Sequence, residues 1–429
     1  MNSKMRHTLL LLALFGTLVA TAAPAPRTVR EPADSMHTEY LENLDKMVHL
    51  WYVRQNVDST VLAETFDYDS AVITPDCPDS VYMKRLAKLN TLIELPFNSI
   101  VRNYISVYTQ RKRAQVSVML GLTEYYFPIF EEILDSYQLP VELRILPVIE
   151  SALNPRAVSR VGATGLWQFM YGTGRRYNLQ IDSYVDERRD PIAATHAAAR
   201  YLRDLYEMYG DWTLVIAAYN CGPGNVNKAI RRAGGKRDYW DIYYFLPRET
   251  RGYVPAFIAA NYAMNYAAEH RIVPVQLTLP RTTDTIVVNG KMHLQQVAEV
   301  LNVPLQQLRD LNPQYKHDLL PSPSGNIIRL PFEHVGAFID RENEIRSYKD
   351  SVFLSPQRIR EPLMHKEVAF TTPGNGNAIR YKVRQGDVLG SIASRYKVTV
   401  QQLKAWNGIS GHMIRVGQTL LIYSGKSHS

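Results

Sequence analysis

The sequence predicts a multidomain protein, with one mainly α domain over 96–272 and two small α+β units at 282–331 and 379–424. Three observations carry that prediction. From Pro96 onward apolar residues recur at helical spacing, beginning with Ile100, Val101, Tyr104, Ile105 and Tyr108. After Pro274 the composition changes and short β-branched runs appear, such as Thr285-Ile286-Val287-Val288. One order of elements, strand–helix–helix–strand (βααβ), then occurs twice.

The chain opens on an export signal over 1–22. Lys4, Arg6 and His7 make a basic start, Leu9 to Ala20 an apolar run, and Ala20-Thr21-Ala22 a small-residue cleavage site. The run is short for a membrane span, which needs about 20 apolar residues. No Cys stands just after it, so a lipid-anchored N-terminus is not expected. An exported protein of the periplasm or cell envelope, peripherally associated with that envelope, is expected, with an uncleaved signal anchor as the rival reading. Residues 23–95 contain Pro24, Pro26, Pro32, Pro75 and Pro78 with only weak periodicity, and read as an N-terminal arm.

Within the helical domain, helices are expected over 117–137 and 140–150. The best marked covers 190–209: Asp190 can cap it, Pro191 suits its first turn, alanines fill it and Gly210 ends it. Two more are expected over 212–220 and 254–270. In the first α+β unit, helices at 293–301 and 304–312 separate strands at 285–288 and 327–330. In the second, helices at 388–396 and 399–407 separate strands at 381–383 and 419–423. Both second helices end in a related phrase: Leu308, Leu311 and Asn312 in one copy, Leu403 and Asn407 in the other. Between the copies, 332–377 carries charges and then Thr371-Thr372-Pro373-Gly374-Asn375-Gly376-Asn377, a flexible linker by composition.

With 46% hydrophobic and 21% charged residues, the composition is that of a globular protein rather than a disordered or membrane-embedded one. The formal charge of +8 falls to +6 once Lys4 and Arg6 leave with the signal. That modest excess suits an acidic polymer. With no basic run interleaved with aromatics, it argues against nucleic acid. The 27 tyrosines suit an open sugar-binding groove and a plain helical core equally well. Cys77 and Cys221 are too few for a disulfide framework, and two unpaired thiols are expected over one bridge. No Cys/His cluster has metal-ligand spacing, so neither a metal nor a cofactor is expected. A monomer is expected.

The candidate catalytic residue is Glu150, in Leu146-Pro147-Val148-Ile149-Glu150-Ser151-Ala152. A carboxyl group among apolar neighbours loses hydration, which disfavours its charged form and raises its pKa. A protonated acid near neutral pH is what a glycosidic oxygen needs as proton donor. A lone Glu near a helix end is ordinarily a solvated surface residue, however, and sequence alone does not place Glu150 indoors. Three downstream phrases bear on the choice. Gly162-Ala163-Thr164-Gly165-Leu166-Trp167-Gln168-Phe169-Met170 has glycines that let backbone approach a ligand, and a Gln that could present an amide in a cleft. Ala217-Ala218-Tyr219-Asn220-Cys221-Gly222-Pro223-Gly224 stops a helix and leaves Tyr219 and Asn220 at its end. Glu249-Thr250-Arg251-Gly252-Tyr253 puts a Tyr before another helix.

Taken in this order, Glu150-Ser151, Gly165-Leu166-Trp167-Gln168, Ala218-Tyr219-Asn220 with Gly222 and Gly224, and Tyr253 resemble the lytic transglycosylase domain of the family 23 glycoside hydrolase type. The resemblance is strongest to the membrane-bound lytic murein transglycosylase D group and covers 96–272. Where many relatives have Met-Pro after the Gln-Phe pair, this chain has Met170-Tyr171. The resemblance implies a goose-type lysozyme-like fold acting on peptidoglycan glycan strands. It implies that Ser151 hydrogen-bonds and orients Glu150, that Gln168, Tyr219 and Asn220 hold the sugar and its acetamido group, and that Tyr253 sits against the carboxyl.

The C-terminal copy resembles the LysM module through Tyr381, Val383, Gly386-Asp387, Leu389, Ile392-Ala393, Leu403, Asn407, Gly417-Gln418 and Leu420, with Val388 where a Thr is usual. That implies binding of chains containing N-acetylglucosamine (GlcNAc). The copy at 282–331 lacks the Gly-Asp phrase, and a glycan-binding role and a pure packing role both remain open for it.

A glycoside hydrolase normally needs two carboxylates. The four motifs that carry the resemblance hold one, and the nearby Asp182, Asp186 and Glu187 read as loop and cap residues. A single acid fits an intramolecular scheme, implied by the resemblance, that leaves a 1,6-anhydro-N-acetylmuramic acid (1,6-anhydroMurNAc) end without water. A hydrolytic muramidase and a non-catalytic peptidoglycan-binding scaffold are the rival readings.

Overall fold

The structure, a computed structural model, describes residues 77–355 and 378–423, apart from 278, 281, 323, 324, 385, 386, 397, 408 and 410–413. The expected export signal at 1–22, the expected arm up to residue 76, the part of the expected linker from 356 to 377 and Gly386 lie outside the described residues.

The helical unit begins with α1 (Asp79–Lys88) and α2 (Ser99–Ser106), whose N-cap Asn98 accepts from the Val101 amide. A π-helical turn, Val107–Arg111, leads into α3 (Arg113–Ser136). A 3-10 turn, Val141–Ile145, then runs into α4 (Leu146–Ser151). The unit is completed by α5 (Pro191–Tyr209), α6 (Trp212–Cys221), α7 (Pro223–Arg232) and α8 (Tyr253–Asn265). Helix α5 starts and stops as its sequence dictates: the Asp190 side chain accepts from the Ile192 and Ala193 amides, and Gly210 ends it at φ 65°.

Helix α8 is the hub. Its residues from Tyr253 to Ala263 are all buried, and it packs against α2, α4 and α6. A helix apolar on every side can sit only at the centre of a bundle. That position brings its first residue, Tyr253, up against the end of α4. Cys77 and Cys221 are both free thiols.

The helical unit starts earlier than its periodicity indicates. Tyr82 and Leu86 of α1 and Ile93 after it are buried in the same core as α8. Arg85 Nη1 donates to the Tyr262 hydroxyl at 2.7 Å, and the Tyr266 hydroxyl donates to the Arg85 carbonyl at 2.7 Å. The end of the expected arm, from 77 to 95, is therefore part of the domain. Only Tyr82 and Leu86 of α1's ten residues are buried, too few for a periodic signal.

Beyond it, β1 (Thr283–Val288) pairs antiparallel with β4 (Asn326–Pro331), in a register that sets Thr283 opposite Pro331 and Val288 opposite Asn326. Between them lie β2 (Met292–His293), α9 (Leu294–Leu301), α10 (Leu305–Leu311) and β3 (Leu319–Leu320), with β2 and β3 paired. Helix α11 (Val335–Ser347) follows. The second module has β5 (Ala378–Lys382), α12 (Leu389–Arg395), α13 (Val400–Trp406) and β6 (Thr419–Tyr423), with β5 antiparallel to β6. The repeat extends to single side chains. Asn312 Nδ2 donates to the Leu308 and Arg329 carbonyls while its Oδ1 accepts from the Arg329 amide. Asn407 does the same with Leu403 and Leu421. One Asn thus ties the second helix to the closing strand in each copy.

The expected linker from 332 needs correction. Helix α11 buries Phe338 and Ile345 in the core of the first module, and Gln296 Nε2 donates to the Arg346 and Tyr348 carbonyls at 3.1 and 2.9 Å. Its charges are a solvated helix face: Arg341 pairs with Glu344, and Arg346 with Glu342, at the three- and four-residue spacings a helix favours. Among the described residues, no helix is long and apolar enough to cross a membrane.

Candidate active site

Helix α4 has Pro147 near its start and stops at Ala152 and Leu153, two successive residues at φ 50° and 60°. Left-handed backbone costs a residue with a Cβ about 1–2 kcal/mol, so packing around them must hold the turn. Both are buried, Ala152 at 2% and Leu153 at 0% exposure. The stop leaves Glu150 on the last turn, flanked by buried Val148, Ile149 and Ser151.

Glu150 is half-buried as a residue, but its carboxyl group is shielded from water. Burial is the larger influence and pushes its pKa up from 4.5 to about 7. The opposing influence is the Tyr253 hydroxyl, which donates to Glu150 Oε1 and favours the carboxylate. No other carboxylate contributes to that shift. The acid is thus indoors, as its apolar neighbours in sequence allow.

Ser151 does not meet its expected role. It is wholly buried, and its hydroxyl points at the Pro147 and Leu166 carbonyls, 3.0 and 2.9 Å away. A side chain with no exposure cannot touch a sugar, and its hydroxyl is committed to backbone rather than to Glu150. It ties α4 to the loop that carries Trp167 and Gln168.

That loop is folded on itself by bridges between Val158 and Thr164 and between Thr164 and Phe169. Gly165, at φ 87°, could not be another residue: a Cβ there would lie 1.7 Å from the Arg188 carbonyl oxygen. Trp167 is buried, its Nε1 donating to Thr195 Oγ1 at 2.8 Å. Gln168 sits half-buried at φ 47°, with Nε2 donating to the Gly165 and Ala157 carbonyls at 2.8 and 3.3 Å. Both amide protons are so engaged, and its oxygen is the atom left for a ligand.

Tyr219 and Asn220 close α6. The Tyr219 hydroxyl donates to the Trp167 carbonyl at 2.8 Å. Burial pushes its pKa well above the usual tyrosine range, and the charge of nearby Glu150 adds to the rise. Asn220 is exposed, and its Oδ1 accepts from Thr250 Oγ1 at 2.9 Å. Glu150, Tyr219 and Tyr253 are thus gathered at one place, with Gln168 and Asn220 at the ends of the elements that hold it.

The nearby acids have other work. Asp182 Oδ1 accepts from the Tyr184 and Val185 amides, both at 2.8 Å, and Glu187 Oε2 accepts from the Gln180 amide at 2.6 Å. Asp186 is buried against Arg188, taking Nε and Nη2 at 2.8 Å each. Arg188 Nη1 in turn donates to the Gly162 and Phe169 carbonyls, at 3.1 and 3.2 Å. This pair, and Thr250 behind Asn220, are the site's supports that sequence reading did not single out. Asp186 reads in sequence only as a loop or cap residue, and Thr250 only as part of the phrase before Tyr253.

Three families match the chain: Transglycosylase SLT domain over residues 127–242, Lytic transglycosylase MltD, LysM-like domain over 282–347, and LysM domain over 381–422. The chain is 31% identical over 339 residues to the membrane-bound lytic murein transglycosylase D of Escherichia coli K12, covering 78% of this chain and 71% of that protein. It is 32% identical over 142 residues to the soluble lytic murein transglycosylase of the same strain, covering 32% of this chain and 21% of that one. The crystal structure of the 70 kDa soluble lytic transglycosylase of E. coli aligns over 33% of this chain and 24% of its own, at 29% identity and a TM-score of 0.29.

Proposed function

The chain belongs to the membrane-bound lytic murein transglycosylase D family, and from that premise we propose that it cleaves peptidoglycan glycan strands with Glu150 as its acid and base. The bond cut is the β-1,4 link between MurNAc and GlcNAc. The carboxyl group of Glu150 protonates the oxygen leaving C1 of MurNAc. The resulting carboxylate then takes the proton from the C6 hydroxyl of the same sugar. The C6 oxygen closes on C1, and the strand ends in 1,6-anhydroMurNAc with no water consumed. An intramolecular nucleophile has a high effective molarity, so no second carboxylate is needed to activate water.

The observation that carries this reading is a lone carboxyl group held at about 7 by burial, with Tyr253 as its hydrogen-bond donor. A group that must give a proton and retake it works best when its pKa lies near the working pH. Tyr253 orients the carboxyl. Gln168, through its free oxygen, and Asn220, through its NH2, take the polar groups of the sugar, and Tyr219 lines the pocket between them. Asn220 is suited to an acetamido carbonyl. The acidic peptide stems of the wall suit the chain's positive charge. The protein acts at the cell envelope. We place it in the periplasm as a monomer, exported by the signal at 1–22 and held at the wall by the module at 381–422.

The test is digestion of purified sacculi by the wild type and by Glu150→Gln, with products read by mass. The wild type should release anhydro ends and the variant none. Wild-type ends heavier by one water would mean hydrolysis and overturn the scheme, and an active Glu150→Gln would remove Glu150 from it.

A further inference from the structure

The first LysM-like module does not stand apart from the helical unit. Val185, in the loop after the Trp167 segment, pairs antiparallel with Tyr315 of the module. The Asp186 amide donates to the Gln314 carbonyl and the Lys316 amide to the Tyr184 carbonyl, both at 2.9 Å. The Val185 side chain is buried in the module's own core, the cluster that also holds Tyr315 and Leu320. Arg156 Nη2 donates to the Arg309 carbonyl at 2.6 Å and lies 3.6 Å from Asp310 Oδ1. The C-terminal module, by contrast, closes its core from its own residues.

The clamped loop reaches the site from its other side. Asp186 gives its amide to the module and its carboxylate to Arg188, and Arg188 holds the Gly162 and Phe169 carbonyls. Those carbonyls bracket the turn that bears Trp167 and Gln168. The Trp167 carbonyl anchors Tyr219, and the Leu166 carbonyl anchors Ser151 beside Glu150. Hydrogen bonds, linked through the backbone of the 162–169 turn, therefore join the module to α6 at Tyr219 and to α4 at Ser151.

We propose that the 282–347 module is a positioning element of the active site, acting through Asp186 and Arg188 on the loop that bears Gln168. This rests on the catalytic reading above. Its contribution falls on turnover rather than on affinity for glycan. Small displacements of groups that hold a substrate cost rate out of proportion to their size, because the reacting geometry is narrow.

The experiment compares the wild-type chain with Arg156→Ala, Arg156→Lys and Lys316→Pro. The first removes the docking cation from outside the module. The second keeps a charge for Asp310, and the third removes the amide donated to Tyr184. Steady-state rates are measured on soluble uncrosslinked glycan strands, and amide hydrogen exchange is followed over residues 162–169. Arg156→Ala and Lys316→Pro should lower kcat about tenfold with KM unchanged. Exchange over 162–169 should quicken, and Arg156→Lys should recover most of the loss. A raised KM with kcat unchanged would overturn the proposal and make the module a glycan-binding one. Unchanged kcat with unchanged exchange would overturn it as well. Lys316→Pro could unfold the module itself, so Arg156→Ala, outside it, decides. The exchange measurement needs no substrate, so coupling can fail while the wild type still releases anhydro ends, and the reverse.

Discussion

The Tyr253 hydroxyl donates to Glu150 Oε1, joining residues 103 positions apart in the chain. Two opposed influences meet in that contact. Burial favours the neutral carboxylic acid, and the hydrogen bond favours the carboxylate. Burial wins, but the hydrogen bond keeps the pKa at about 7 rather than higher. A proposed acid that must also serve as base needs both charge states within reach.

Removing that donor separates the two influences. In Tyr253→Phe the carboxyl keeps its burial and loses the stabilisation of its charged form, so its pKa rises further. In the wild type, kcat/KM should fall tenfold per pH unit above about 7, where Glu150 becomes a carboxylate before it can donate. In Tyr253→Phe that fall should begin at higher pH, while the maximum drops about tenfold or more through lost orientation. Rates on soluble strands from pH 5 to 9 check it. A limb that moves to lower pH would contradict the account.

Stability should report the same group. The folded-state pKa of Glu150, about 7, lies above its ordinary value of 4.5, so the folded state binds this proton more tightly than the unfolded one. The contribution is fully present below about 4.5 and is lost as pH rises through about 7, by at most about 3 kcal/mol. Glu150→Gln carries no such loss. Its melting temperature should exceed that of the wild type above pH 7, with the gap closing as pH falls toward 4.5. A gap independent of pH would mean the carboxyl is solvated.

Ser151→Ala distinguishes support from contact. The hydroxyl bridges the Pro147 and Leu166 carbonyls inside the core, so its loss should cost about 1–2 kcal/mol of stability. KM and the position of the pH limb should stay where they are, with only a small drop in kcat. A shifted limb would show that Ser151 acts on Glu150 directly.

Gly165→Ala should be far more harmful than its size implies. The new methyl would meet the Arg188 carbonyl at 1.7 Å, and the φ of 87° disfavours any side chain. We expect loss of several kcal/mol, seen as a large drop in melting temperature or as insoluble protein. Gly162→Ala has the same φ of 87° but open space around it, and should lose only the backbone cost.

Sequence alone determined most of the helices and strands and singled out Glu150 as the candidate acid. Asp190, Pro191 and Gly210 delimit a helix by capping chemistry that acts within a few residues, and α5 begins and ends there. The ordered phrases around Glu150, Gln168, Tyr219 and Tyr253 named the pocket, because each is a local turn chemistry that survives in the one-dimensional record. The repeated Leu-and-Asn ending named two related modules, and the matching Asn312 and Asn407 hydrogen bonds show why that phrase is needed twice. Only the tertiary structure decided that Glu150 lies indoors and that Ser151 serves the backbone. It also decided that 332–347 is a packed helix and that the first module grips the loop beside the site. Burial, a long-range hydrogen bond and a docking face all arise between segments distant in the chain. Their energies depend on what happens to lie opposite, and no run of neighbouring residues records that.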